Sequence, residues 1–167
     1  MNNKSDYRVF AKNIRKNLDI TTLSKVLTEK VRNDIDYQNA KNVMIYYPLE
    51  QEFDYRELIN DDKNFYLPKM SGNTLLVCPY CEDLICGKYN IMEPCSKPVD
   101  NKILDYIIVP ALLADKNNNR LGYGAGFYDR FLSTCNNAIK VAVLPKELII
   151  EKLPIDNFDV KLDKIIY

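Results

Sequence analysis

The run Arg120-Leu-Gly-Tyr-Gly-Ala-Gly-Phe-Tyr-Asp-Arg-Phe-Leu132 constrains this chain more than any other stretch. Gly122, Gly124 and Gly126 stand at alternate positions, with Arg120 before them and Asp129 after. Glycine takes backbone angles that other residues avoid and lets the chain approach a ligand closely. Upstream, Tyr106-Ile-Ile-Val-Pro110 is apolar and β-branched and reads as a buried strand, while Phe127 to Leu132 can continue as a helix. Consecutive N–H groups of such a loop can curl around phosphate oxygens as an anion nest, aided by the helix start. The loop lacks the Gly-Lys-Ser/Thr ending of a Walker loop and the Gly-x-Gly-x-x-Gly spacing of dinucleotide sites. Glycine spacing alone also fits a tight turn, but Arg120, Asp129 and Arg130 in fixed positions favour a phosphate site.

Charge has to act locally here. The 23 basic and 23 acidic residues cancel, so no global field points to nucleic acid or to an anionic membrane. The chain has no histidine, which removes the usual general base, the Ser-His and Cys-His nucleophile pairs and histidine metal sites. Five cysteines form an odd set, which suggests reduced thiols in a cytoplasmic protein. Met1 to Asp6 carry no signal-peptide run, and no later run is long enough to span a bilayer. At 167 residues, with no repeat or linker, residues 1–167 read as a single domain.

Along the chain, two helices are expected over residues 4 to about 35, from Tyr7, Phe10, Ala11, Ile14 and Leu18 and then Leu23, Val26, Leu27 and Val31. Asp19 to Thr22 offer the N-cap of the second. Lys4, Arg8 and Lys12 make a basic stripe on the first, whose default reading is a solvated face. Val43 to Tyr47, Phe65 to Lys69, Leu75 to Tyr80, Lys140 to Leu144 and Lys164 to Tyr167 read as further strands. A short helix is expected over residues 55–61, a proline-bearing loop over 87–98, and a turn or helix over 145–150. Glu50, Glu52 and Asp54 follow the first strand at its carboxyl end, where open α/β sheets place ligands. The alternation predicts a three-layer α/β/α sandwich with a mostly parallel central sheet and two N-terminal helices. Cys78-Pro-Tyr-Cys81, with Cys86 and Cys95, has irregular spacing and no histidine to help, and it ends a strand instead of opening a helix. Buried or loop thiols fit it better than a metal or redox site.

The longest specific pattern is Val109-Pro110, an apolar stretch to Asp115, and then Asn119-Arg-Leu-Gly-Tyr-Gly-Ala-Gly-Phe-Tyr-Asp-Arg130. Shorter ones are Tyr47 to Asp54, Pro68-Lys69, Asn90-Ile-Met-Glu-Pro94 and Phe158-Asp-Val-Lys-Leu-Asp163. In these the chain resembles the 5-formyltetrahydrofolate cyclo-ligases, also called 5,10-methenyltetrahydrofolate synthetases.

The resemblance implies an ATP- and Mg2+-dependent reaction on 5-formyltetrahydrofolate. The formyl oxygen is phosphorylated, a ring-system nitrogen closes on the activated carbon, and 5,10-methenyltetrahydrofolate, ADP and phosphate result. It implies ATP contacts at Arg120, Leu121, Gly122, Tyr123, Gly124, Ala125, Gly126, Phe127 and Tyr128, with Lys4 and Arg8 from the first helix. The basic pair can also be framed with Lys12 or Arg15 in those roles. Tyr47, Glu52 and the stretch Tyr123 to Phe127 would line the folate pocket, and Asp129 and Asp159 would bind the metal. Arg120, Tyr128 and Asp129 are the expected catalytic residues. Ala125 departs from the glycine or lysine common in the family and supplies no charge. The expected partners are these small molecules alone, bound by a monomer. Phosphoryl transfer needs positioning and charge neutralisation, which suits a chain without histidine. The alternatives are a non-catalytic folate- or phosphate-binding module on the same fold, and a sugar-phosphate isomerase-like enzyme that would not need ATP.

Overall fold

The computed structural model describes residues 3–167. Met1 and Asn2, which open the stretch expected to carry no signal peptide, lie outside the described residues. Helices α1 (Lys4–Arg15), α2 (Ile20–Arg32) and α3 (Ile35–Asn39) come first, followed by strands β1 (Asn42–Met44), β2 (Asn64–Ser71), β3 (Thr74–Pro79), β4 (Leu84–Cys86) and β5 (Met92–Pro94). Strands β6 (Tyr106–Ile108), β7 (Leu113–Asp115) and β8 (Arg120–Leu121) lead into helix α4 (Phe127–Leu132). Strands β9 (Ile139–Val143), β10 (Ile149–Ile150) and β11 (Lys164–Ile166) complete the chain.

The central sheet has six strands in the order β11-β9-β6-β1-β2-β3. All neighbours are parallel except β3, which returns antiparallel on β2 through a turn at Gly72. The fold is therefore the expected mixed α/β class with a mostly parallel sheet. Strands with parallel neighbours on both sides are buried on both faces, which explains the unbroken apolar runs. Val43, Met44, Ile45, Ile107, Val141 and Ala142 are all fully buried.

The helix starts are set locally. The Asn3 side chain accepts from the Asp6 N–H at 3.0 Å, and the Asp19 side chain accepts from the Thr22 N–H at 3.0 Å, so each helix is capped by its own N-terminal side chain. Helix α1 packs on β7 and β8, α2 on β11, and α4 on β3.

The structure carries less helix between strands than the alternation suggests. Among the described residues, only the passage from β6 to β9 contains an α-helix, α4. The helix expected over residues 55–61 is a 3-10 turn, Arg56–Asn60, and residues 145–150 form a 3-10 turn followed by β10. The segment read as a loop over 87–98 contains β5, which pairs with β4 in a hairpin. Its three residues include Pro94 and are too few to show a period.

Candidate active site

Two hollows meet at the glycine loop. A cavity of 410 Å³ is walled largely by aromatic and aliphatic side chains, including Tyr46, Tyr47, Met70, Tyr123, Phe127 and Tyr128. A second hollow of 630 Å³ is walled by charge: Lys4, Arg8, Arg120, Asp129, Arg130 and Asp159. Arg120, Gly122, Gly124, Gly126 and Asp129 border both, so the loop is the partition between them. The aromatic cavity opens just beyond the carboxyl ends of β1 and β6, at Tyr46, Tyr47 and Pro110, where parallel sheets present ligand sites.

The glycines are needed for geometry. Gly124 has φ +108° and Gly126 φ +71°, angles that L residues with side chains adopt only under strain. A Cβ on Gly124 would lie 3.1 Å from the Arg8 guanidinium carbon. Arg8 Nε in turn donates to the Gly122 carbonyl at 3.0 Å, so the first helix grips the loop directly.

The loop ends are tied together. Arg120 Nη2 donates to Asp129 Oδ1 at 2.8 Å, and the Val160 N–H donates to the same oxygen at 3.3 Å. Burial pushes the Arg120 guanidinium down from its usual range, and the charge of Asp129, Tyr128 and Asp159 acts against that. Its Nε atom is buried with no hydrogen-bond partner. Asp159 belongs to a tight turn in which its Oδ2 accepts from Lys4 Nζ at 2.5 Å and from the Asp156 N–H at 2.7 Å. Lys4 Nζ also reaches Asp156 at 2.7 Å. Burial pulls the Lys4 ammonium down, but its bonds to Asp156 and Asp159 prevail and hold it above its usual range.

In the aromatic cavity, Glu52 is buried and accepts from the Leu49 N–H at 2.8 Å. Burial raises its carboxyl, while the Leu49 N–H, the Tyr123 hydroxyl and Arg15 act in the opposite direction. Burial likewise pushes the Tyr123 and Tyr128 phenols well above their usual range, aided by the Glu52 charge. Both remain neutral donors at physiological pH. A carboxylate and two phenols on an aromatic wall suit a flat, nitrogen-rich heterocycle.

The sequence-wide family model for the 5-formyltetrahydrofolate cyclo-ligase family matches residues 3–167. The chain belongs to the 5-formyltetrahydrofolate cyclo-ligase family. A 5-formyltetrahydrofolate cyclo-ligase of Mus musculus is 30% identical over 165 residues, covering 86% of this chain and 81% of the mouse protein. One from Haemophilus influenzae is 33% identical over 155 residues, covering 84% and 82%. The NMR structure of Aquifex aeolicus 5,10-methenyltetrahydrofolate synthetase superposes with a TM-score of 0.86 at 30% identity, covering 97% of this chain and 88% of that one.

In this cyclo-ligase-family chain, nearly every residue singled out from the sequence borders one of the two hollows. Tyr47, Glu52, Tyr123, Ala125, Phe127 and Tyr128 border the aromatic one, and Lys4, Arg8, Leu121 and Asp159 the charged one. Glu50 and Asp54 do not join them: Glu50 is exposed, and Asp54 pairs with Arg56 at 2.6 Å. Arg15 borders neither hollow. It donates to the Gln51 and Ala111 carbonyls at 2.7 and 2.6 Å and lies over the Phe53 ring, whereas Lys4 and Arg8 of the same helix line the charged hollow. Lys12 is exposed and borders neither hollow.

Residues missed as site candidates include Tyr89, Ile91 and Glu93 of the β4–β5 hairpin, with Tyr46 and Met70, on the aromatic cavity, and Phe158 on the charged hollow. The Asn90 to Pro94 match marked the segment, but nothing in its sequence aimed it at the glycine loop. The cysteines form no centre. Cys78 and Cys135 are buried, Cys86 and Cys95 exposed, and among the described residues no group of three or more His, Cys, Asp or Glu could hold a metal ion. No helix is long and apolar enough to cross a membrane among the described residues.

Proposed function

We propose that this chain converts 5-formyltetrahydrofolate to 5,10-methenyltetrahydrofolate at the cost of ATP, releasing ADP and phosphate. The observation that carries the proposal is the shared wall. An aromatic cavity for the folate and a cationic hollow for the triphosphate meet across Gly122 to Gly126. The formyl oxygen and the γ-phosphate would then meet where the two hollows adjoin at the loop, whose glycine positions carry no side chains to hold them apart.

Lys4, Arg8 and Arg120 neutralise phosphate charge, and the loop N–H groups orient the oxygens. Glu52 accepts hydrogen bonds from pterin nitrogens and anchors the ring system. The Tyr128 hydroxyl lines the aromatic cavity, is held neutral by desolvation, and would donate as charge develops on the transferred group. Water exclusion by Tyr123, Phe127 and Tyr128 protects the activated formyl group from hydrolysis.

The donor set fits magnesium. Asp129 and Asp159 supply carboxylate oxygens to the same hollow, and this ion is commonly held by one or two carboxylates plus phosphates and waters. Bound there, it would neutralise charge on the transferring phosphoryl group. Both carboxylates are paired with cations, Arg120 and Lys4, whose charges would be free for phosphate oxygens once a metal took their place. The two hollows are of a size and lining suited to small molecules. Five free thiols support a reducing, cytoplasmic setting.

Mixing the pure protein with 5-formyltetrahydrofolate, ATP and magnesium should produce the near-ultraviolet absorbance of the methenyl product, and omitting ATP should abolish it. Folded protein that binds folate by calorimetry yet gives no absorbance would instead be the non-catalytic module. Product formed without ATP would also sink the proposal.

A further inference from the structure

Phe158 is 89% exposed, the most exposed large apolar side chain among the described residues. A single exposed apolar residue is ordinary on a protein surface. What distinguishes Phe158 is its place. It lines the charged hollow beside Asp159, and it is the one aromatic residue that does so.

The turn that carries it is firmly held. The Asp159 N–H donates to the Asp156 carbonyl at 3.0 Å, Lys4 Nζ pins both aspartates, and the next N–H, that of Val160, donates to Asp129 at 3.3 Å. The backbone on both sides of Phe158 is thus tied to helix α1 and to the end of the glycine loop, while its ring is left in the open. A rigid mount with an uncovered flat face is a stacking platform without its partner.

The hollow offers cations and loop N–H groups enough for phosphates, but its other lining residues give a nucleobase no aromatic surface. We propose that Phe158 is that surface: the base of the nucleotide stacks on its ring while the phosphates reach Lys4, Arg8 and Arg120. This rests on the ATP-dependent reading above. It makes Phe158 a binding residue for the nucleotide's base, with no part in the reacting atoms.

The chain contains no tryptophan, so Phe158→Trp installs a single fluorescent reporter at the platform. Its emission should change on titration with ATP and stay unchanged with inorganic tripolyphosphate, which has the phosphates but no base. Phe158→Ala should raise the KM for ATP roughly tenfold or more, the effect of losing one base–aromatic stack. Its kcat, and its KM for 5-formyltetrahydrofolate, should hold within about twofold. Phe158→Tyr should restore the ATP KM, and the thermal midpoint of every variant should match the parent's, since the ring is exposed. An unchanged ATP KM in Phe158→Ala would overturn the inference, as would emission that responds equally to tripolyphosphate. Self-association of the parent that Phe158→Ala abolishes, with nucleotide affinity unaltered, would also overturn it, in favour of an interface between copies. Absence of turnover in the parent would sink the catalytic proposal alone, because the emission titration judges base stacking without any chemistry.

Discussion

Arg120 and Asp129 close the glycine loop on itself, Nη2 to Oδ1 at 2.8 Å across nine residues. The Arg120 side chain is only 4% exposed against 23% for Asp129, so the arginine depends on the carboxylate for charge compensation. The pair therefore serves the fold and the site together, and the two roles can be separated.

Asp129→Ala strands a buried guanidinium and should cost about 3 kcal/mol of stability, at the low end for breaking a buried pair because Asp129 is partly solvated. It should also lower turnover by at least about 100-fold, because the proposed magnesium site would lose one of its two carboxylates. Asp129→Asn keeps an acceptor for Arg120 Nη2 and the Val160 N–H, so its urea midpoint should lie nearer the parent's while turnover stays low. Near-normal single-turnover rates in the asparagine variant would remove Asp129 from the site.

Gly124→Ala should damage nucleotide use more than its single methyl suggests. The new Cβ meets the Arg8 guanidinium at 3.1 Å, and φ +108° strains any side chain there by about 1–3 kcal/mol. Arg8 must shift, so the KM for ATP should rise along with a drop in thermal midpoint. Gly72→Ala is the control: its φ is +57° and nothing lies within 4 Å, so it should lose some stability and keep parental kinetics.

The two arginines of helix α1 should give opposite phenotypes. Arg8 sits against the loop and is exposed to the charged hollow, so Arg8→Ala should raise the KM for ATP with little change in denaturant midpoint. Arg15 is buried, and its bonds to the Gln51 and Ala111 carbonyls tie α1 to the segments after β1 and β6. Arg15→Ala should cost about 2–4 kcal/mol by leaving the buried Ala111 carbonyl and the partly buried Gln51 carbonyl without donors and Phe53 without its cover. If Arg15→Ala were stable and raised only the ATP KM, the assignment of Lys4 and Arg8 would fall.

This contrast shows what the sequence could and could not carry. Helical spacing put Lys4, Arg8, Lys12 and Arg15 on one helix, but a four-residue period leaves open which of them meet the loop. Only the packing of α1 on β7 and β8 turns Arg8 to Gly122 and buries Arg15. The parallel sheet was legible because strands buried on both faces read as continuous apolar runs, as at Val43 to Ile45. The glycine loop was legible because positive φ selects glycine at Gly124 and Gly126. The hairpin bearing Tyr89 and Glu93 was not, since it is short and its turn uses Tyr89 and Asn90 at φ 60° and 59° in place of glycine. Nor was Phe158, whose significance lies wholly in what the fold puts beside it.

Glu52 should give the enzyme an acid limb and the fold an opposite slope. Burial raises its carboxyl above the ordinary 4.5, against the Leu49 N–H, the Tyr123 hydroxyl and Arg15. A carboxyl raised in the folded state binds its proton more tightly there than in the unfolded chain, so its stabilising contribution is complete below about pH 4.5. That contribution declines as pH rises through the folded value, and the ionised form is then carried at a net cost. In urea titrations from acid to neutral pH, the stability of the parent relative to Glu52→Gln should therefore fall across that window and then level off. Binding of the pterin nitrogens needs the ionised acceptor, so kcat/KM for 5-formyltetrahydrofolate should rise over the same interval in the parent and lose that limb in Glu52→Gln. A parent and variant whose stability curves run parallel from acid to neutral pH would show that Glu52 titrates as an ordinary solvated carboxylate and would withdraw it from the folate wall.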